Sequence, residues 1–382
     1  MREGVPIYLD YNATTPMDPR VVEAMRPCLE SVFGNPSSAH AYGREAKAML
    51  EQARHRVASL LHASPEEIVF TSGGTESNNM ALCGVARARK AQGRHIVTTR
   101  IEHPAVLEPC LALMEEGFDV TFVGVDGYGM VDPQEVIAAF RSDTVLVSVM
   151  HSNNEVGTIQ PVKAIAQAAK ERGIVVHTDA AQSVGKVVVD VENLGVDLLT
   201  VAGHKLYAPK GVGALYVRRG TPMGKILFGA GQERGLRPGT ENVLEIVGLG
   251  MAAAVVRDNL LEEMARMRAL RDRLQAHLLE AFPDARLNGH PEHRLPNTLS
   301  ISFPGTTADA LLDAMPEVAA SAGAACHSDQ VRISHVLEAM GVPRELAQGT
   351  LRFSVGRFTR QEDVDAAAAI VRRAVRQVLN QT

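Results

Sequence analysis

The chain has 382 residues, 46% of them hydrophobic and 22% charged, the make-up of a globular protein too long for one compact core, so two domains are expected. A formal net charge of -5 gives no electrostatic footprint for nucleic acid or an anionic membrane. The opening "MREGVPIYLDYNATTP" has no apolar leader core, and no run nears the length of a membrane span, so a cytoplasmic location is expected.

From about residue 16 to 257, short β-branched runs alternate with helical patterns. "EIVF", "HIVTT", "DVTFVGV", "TVLVSVM", "GIVVHTD" and "LLTVAG" read as strands, and stretches such as "AKAMLEQARHRVASLL" and "VKAIAQAAKERG" as helices. The strand runs are continuous rather than alternating, as in a parallel sheet covered on both faces. Near residue 258 the texture changes. "DNLLEEMARMRALRDRLQAHLLEAF" carries apolar residues at helical spacing, "NTLSISF" alternates as a half-buried strand, and Thr359 with Glu362 reads as a capping box before a final helix. The expectation is an α/β protein with a large, mostly parallel-sheet domain over residues 15–257. A smaller α+β domain comprises 1–14 and 258–382.

Cys28, Cys83 and Cys110 lie in helical patterns and read as small buried hydrophobes. Cys326 differs, because "SAGAACHSDQ" surrounds it with the smallest residues available, a setting that suits either a mobile reactive loop or an ordinary loop cysteine. No CxxC and no short Cys/His spacing occurs, so no metal site is expected.

Ligands of open α/β sheets bind beyond the carboxyl ends of the strands, and the polar clusters fall there. "EIVFTSGGTESNN" is a strand, a glycine turn and a helix start, where Gly73, Gly74 and Thr75 make either a phosphate cradle or a plain βα turn. It is not a P-loop, since Gly185-Lys186 is followed by Val187. "IVVHTDAAQ" puts Asp179 at the end of a buried strand, and "LLTVAGHKLYAPKG" puts His204 and Lys205 at the end of another. A phosphate for the turn, a protonated ring nitrogen for Asp179 and an aldehyde for a desolvated Lys205 all belong to pyridoxal phosphate.

The whole chain resembles the class V aminotransferase-like group of fold-type I pyridoxal phosphate enzymes, in particular cysteine desulfurases and selenocysteine lyases. The resemblance runs through "YLDYNATTP", "FGNPSS", "TSGGTESNN", "EHPAV", "NNEVGTIQP", "HTDAAQ", "GHKLYAPKG", "GQERGLRPGTEN" and "LRFSVGRFT". It implies that Lys205 is the Schiff-base lysine, Asp179 the partner of the ring nitrogen, and His103 the histidine stacked on the ring that also moves protons. It implies Gln182 and Asn154 near the ring hydroxyl, and Gly74, Thr75 and His204 at the phosphate, joined by Thr240 of the second subunit of a homodimer. Arg352 is implied to bind the substrate carboxylate, assisted by Asn35, and Cys326 to be the catalytic cysteine. Relatives often carry a serine where this chain has Ala202, which puts one phosphate contact in doubt. His151 and His177 read as core histidines or site residues, His40 and His327 stay open, and Tyr207 and Lys210 read as structural.

The implied function converts L-cysteine to L-alanine and passes the sulfur, as a persulfide on Cys326, to a protein acceptor in iron–sulfur or thiolation pathways. Two alternatives stay open: a selenocysteine lyase, which "GAACHSD" resembles, and an inactive scaffold or partner subunit.

Overall fold

The computed structural model describes residues 4–326 and 331–380. Fifteen strands are assigned: β1 (Ile7–Tyr8), β2 (Ile68–Thr71), β3 (His95–Thr99), β4 (Asp119–Val123), β5 (Thr144–Ser148), β6 (Val175–Asp179), β7 (Leu198–Ala202), β8 (Gly213–Val217), β9 (Arg286–Asn288), β10 (Thr298–Ser302), β11 (Val318–Ala319), β12 (Ser321–Ala322), β13 (Ala324–Cys326), β14 (Val331–Ile333) and β15 (Thr350–Ser354). A seven-stranded sheet has the order β2-β8-β7-β6-β5-β3-β4. Its five central and right-hand strands, β7, β6, β5, β3 and β4, pair in parallel, whereas β8 runs antiparallel to both β2 and β7. All six strands read from the sequence for the large domain are present. β8, "GALYV", was not among them.

β3, β5, β6 and β7 are buried along their whole length, because helices cover both faces, whereas the edge strand β4 is buried only at Val123. One core contains Leu50, Val57, Leu61, Phe70, Val147, Val176, Leu199 and Leu249, and the opposite face packs Leu82, Val85, Ile96, Leu113 and Leu146. A separate core around Leu299, Ile301, Phe303, Leu351 and Phe353 lies under a four-stranded sheet of order β12-β15-β10-β9. The helix Val243–Ala281 links the two cores. Ile246, Leu249 and Val256 belong to the first, and Met267, Leu270, Leu274 and Leu278 to the second.

That helix begins at Val243, well before the stripe that the sequence shows from residue 258. Its first half is apolar on several sides, being packed against the helices Ala41–Leu61 and Pro19–Glu30 at once, so no single stripe marks it. At Gly250 a Cβ would lie 2.5 Å from the Cα of Ala53, which is possible only for glycine at this separation of the two helices. Gly250→Ala is expected to cost about 1–3 kcal/mol despite the better helix propensity of alanine, because backbone cannot give way as a flexible side chain can. A lower urea midpoint at unchanged slope would show it, and an unchanged midpoint would mean that the helices separate freely.

The last helix, Gln361–Leu379, starts one step later than the Thr359/Glu362 reading. Arg360 is its N-cap residue, and the Asp363 carboxylate accepts from the Arg360 N–H at 2.9 Å. Thr359 instead accepts from the Gly356 N–H at 2.9 Å through its hydroxyl.

The N-terminal segment ties the two sheets together. β1 pairs in parallel with β11, and Asn12 donates to Thr298 Oγ1 at 2.8 Å while its own side-chain oxygen accepts from Asn297 at 2.9 Å.

Candidate active site

The carboxyl ends of β3, β5, β6 and β7 open on one cavity of about 170 Å3. Gly74, Thr75, His103, Asn154, Asp179, Gln182, His204 and Lys205 all line it, so eight residues picked from scattered motifs meet here. Each is placed by a turn that ends a strand. Gly73 has φ +150°, open to glycine alone among unstrained residues, and turns the chain from β2 into the helix Gly74–Arg89. The first N–H groups of that helix have no carbonyl four residues back and face outward. The Glu76 carboxylate is turned aside, to Ser72 N at 2.6 Å and Arg237 at 2.9 Å, leaving the opening free for an anion.

Asp179 is 6% exposed and among the described residues has only neutral donors, Asn78 Nδ2 at 2.7 Å and Ala181 N at 2.9 Å. A buried carboxylate so held still lacks a cation, and the cavity is where one can reach it. Asn78 was missed by the sequence reading; it lies one helical turn beyond Thr75 on the same face, which is the signal that could have found it. Asn78 Oδ1 is itself buried without a partner.

Lys205 closes the short turn Gly203–Lys205 and donates to Ala13 O at 3.0 Å and to Asn12 O. Burial, helped by the charge of Arg352, pulls its amine down to about 8, so a useful fraction is neutral and nucleophilic near neutral pH. His103 caps the helix Pro104–Glu115, its Nδ1 accepting from Ala105 N at 3.1 Å. The neutral ring therefore carries its proton on Nε2, and burial favours that neutral form. His204, held down to about 4 by burial and the neighbouring Lys205 and Lys210, is neutral and contacts Thr14 Oγ1 at 3.2 Å. Ala202 also lines the cavity, with its methyl 3.4 Å from where a Cβ on Gly74 would stand.

Of the other four predicted site residues, Arg352, Asn35 and Thr240 do not line this cavity. Arg352, on β15, sits just behind it: Nη1 donates to Asn154 O at 3.0 Å, and Nη2 to Asp10 Oδ1 at 2.9 Å and Ser321 Oγ at 2.8 Å. Its Nε is buried without a partner among the described residues. Asp10 as the counter-ion of Arg352 went unread in the sequence. Asn35 is exposed and accepts from Ser37 N at 2.9 Å, and Thr240 is exposed on the stretch before the long helix. Cys326 has its backbone in β13, paired with Val331 of β14; its side chain, together with His327 and Ser328, lies outside the described residues.

Of the open histidines, His177 bridges Ser148 Oγ at 2.8 Å and Thr200 Oγ1 at 3.1 Å inside the sheet, and His151 contacts Ser183 Oγ at 2.7 Å. His40 caps the helix Ala41–Leu61. Tyr207 Oη accepts from Arg357 N at 2.7 Å. No group of His, Cys, Asp and Glu able to hold a metal occurs among the described residues.

A family profile for class-V aminotransferases matches residues 7–367. The chain belongs to that family. Among its relatives, a cysteine desulfurase IscS of Dictyoglomus turgidum (strain DSM 6724 / Z-1310) is 46% identical over 371 residues, spanning 97% of this chain and 94% of the relative. Two solved structures are also similar. A NifS-like protein superposes with a TM-score of 0.92 at 40% identity, covering 99% of this chain and all of the other. SspA in complex with cysteine gives 0.81 at 37% identity, covering 92% and 99%. The α/β fold with its large, mostly parallel sheet is that of the NifS-like, fold-type I members.

Proposed function

We infer that this protein is a pyridoxal phosphate-dependent cysteine desulfurase that takes L-cysteine to L-alanine. The observation that carries the reading is the meeting, in one cavity, of a partly neutral Lys205, an Asp179 carboxylate without a cation and an open helix N-terminus at Gly74 and Thr75. These residues fit the cofactor part by part: an amine for its aldehyde, a carboxylate for its ring N–H, and backbone N–H groups for its phosphate. Cysteine desulfurase relatives across nearly the full chain point to the same substrate.

Bound there, the cofactor supplies an electron sink for the substrate carbon. Asp179 would keep the ring nitrogen protonated, and His204 and Thr75 would add contacts at the phosphate. Lys205 would hold the cofactor by its aldehyde, and His103, which lines the cavity with its proton on Nε2, would be the proton-moving group. Arg352 binds the substrate carboxylate. Asp10, Ser321 Oγ and the Asn154 carbonyl hold its guanidinium in place between turnovers.

A homodimer completes the site in this reading. It is supported by Thr240 and Asn35, which are exposed in a single chain, and by Phe33 and Phe228, which are 79% and 87% exposed. The large domain comprises residues 15–257 and the small one 1–14 and 258–382, and Cys326 of the small domain carries the sulfur to a protein acceptor. No described helix is long and apolar enough to cross a membrane.

The direct test is to load the protein with pyridoxal phosphate, supply L-cysteine and follow L-alanine by chromatography and the bound persulfide by mass. Absence of both products would overturn the reading. Arg352→Ala is expected to raise KM and lower kcat/KM by about 2–5 kcal/mol, roughly thirtyfold or more, with the cofactor still bound. Unchanged kinetics would place the carboxylate elsewhere.

A further inference from the structure

Lys186 is 4% exposed and lies one tight fold of chain beyond the cavity wall. After β6, two consecutive turns reverse the backbone: Ser183 N and Val184 N both donate to Ala180 O, and Lys186 N and Val187 N both donate to Ser183 O, all at 2.9–3.0 Å. Gly185, at φ +87°, brings this fold against Leu206 next to Lys205. The lysine side chain thereby returns to the residue four positions before it. Its Nζ donates to Gln182 Oε1 at 2.7 Å, and this is its only hydrogen bond among the described residues.

An ammonium has three N–H groups, and burying it with one neutral acceptor is costly. Burial, with the nearby charges of Lys205 and Arg352, accordingly holds Lys186 well below the ordinary lysine range. A neutral amine here serves no ion pair. What it does is settle Gln182.

Gln182 Nε2 donates to Asn12 O at 2.9 Å. Turning the amide over would set Oε1 against that carbonyl oxygen, so Oε1 must face Lys186. One N–H of Gln182 is then spent on Asn12. The other has no protein partner among the described residues, and Gln182 lines the cavity. The amine and the carbonyl thus grip the amide from two sides, and the cavity receives a donor rather than an acceptor.

We propose that Lys186 is a positioning residue, which through its hydrogen bond to Gln182 fixes the direction in which Gln182 presents its free N–H to an acceptor oxygen of the cofactor. This rests on the cofactor reading, in which Gln182 lies near the ring hydroxyl. Lys186 touches neither substrate nor cofactor.

The experiment is a double-mutant cycle of Lys186→Met and Gln182→Leu in the full chain. It reads the dissociation constant of pyridoxal phosphate by equilibrium dialysis and the pH midpoint of the bound cofactor's visible band. With Gln182 present, Lys186→Met is expected to weaken cofactor binding about five- to tenfold, the scale of one lost hydrogen bond, and to move the midpoint. In the Gln182→Leu background the same substitution should change neither, because the residue it acts through is gone. Equal effects in both backgrounds would show a packing role, and no effect with Gln182 present would show no role; either overturns the proposal. Lys186→Gln, whose amide falls one atom short of Gln182, repeats the cycle with a polar side chain should methionine prevent folding. Failure of the wild type to take up cofactor would be a distinct result, overturning the cofactor reading itself and this proposal with it.

Discussion

Lys205→Ala is expected to remove alanine production from cysteine almost completely, by at least about 10³-fold, and to leave the fold intact. The side chain lies at a cavity wall, and the turn that carries it is closed by backbone bonds, Gly203 N to Val212 O and Leu206 N to Gly203 O, both at 3.0 Å. Borohydride reduction should join pyridoxal phosphate covalently to the wild type and not to the variant, read as intact mass. In the wild-type apoprotein, cofactor capture should quicken as pH rises through about 8, where burial places the Lys205 titration. The same shift has a stability consequence. Since the folded state gives up this proton before the unfolded chain does, the Lys205 contribution to apoprotein stability rises with pH from about 8 toward the ordinary lysine value. A variant with undiminished turnover would refute the lysine's role.

Cys326→Ala is also expected to be severe for cysteine, with the cofactor fully retained. In the proposed transfer, the Cys326 thiolate attacks the substrate sulfur, an S–S bond forms and the C–S bond breaks. Its electron pair stays with the substrate carbon, which takes up a proton to become alanine, leaving the sulfur on Cys326 as a persulfide. A free thiol near pKa 8.5 is only a few per cent thiolate at neutral pH, so access to a proton-accepting site matters. Without the cysteine, no described side chain at the cavity is a thiol: Cys83 and Cys110 are buried in helices, and Cys28 lies in the helix Pro19–Glu30 beside Met49. Selenium is the better leaving group, so the variant should lose cysteine turnover by more than about 10²-fold while retaining part of its action on selenocysteine. Alanine release from both substrates, by both proteins, checks this. Cysteine turnover at the wild-type rate in the variant would remove Cys326 as acceptor, and a wild type that barely touched cysteine would favour the lyase.

The strands were legible because each is a short β-branched run closed by Gly, Asp or Asn, and burial on both faces makes the run continuous. β8 was not, since five residues beginning in glycine carry no such mark and only the pairing with β2 and β7 makes them a strand. The first half of the helix Val243–Ala281 escaped for the opposite reason: buried against two helices, it shows no polar face.

Among the site residues, the motifs located Asp179, Lys205, His103 and the Gly74-Thr75 turn because strand end, turn and helix start are local events, written within a few consecutive residues. Their chemistry was not local. The pairing of Asn78 with Asp179 spans 101 residues, that of Lys205 with Asn12 spans 193, and that of Arg352 with Asp10 spans 342. No periodicity encodes such contacts. They exist because the strand order brings the ends of β3, β5, β6 and β7 to one edge, while the N-terminal segment crosses between the two sheets. Sequence alone therefore determined which functional groups the protein owns and that those of the cofactor cavity stand beyond strand ends. The tertiary structure decided which of them are neutral, which are paired and which way they face, since burial and distance, not residue type, set those energies.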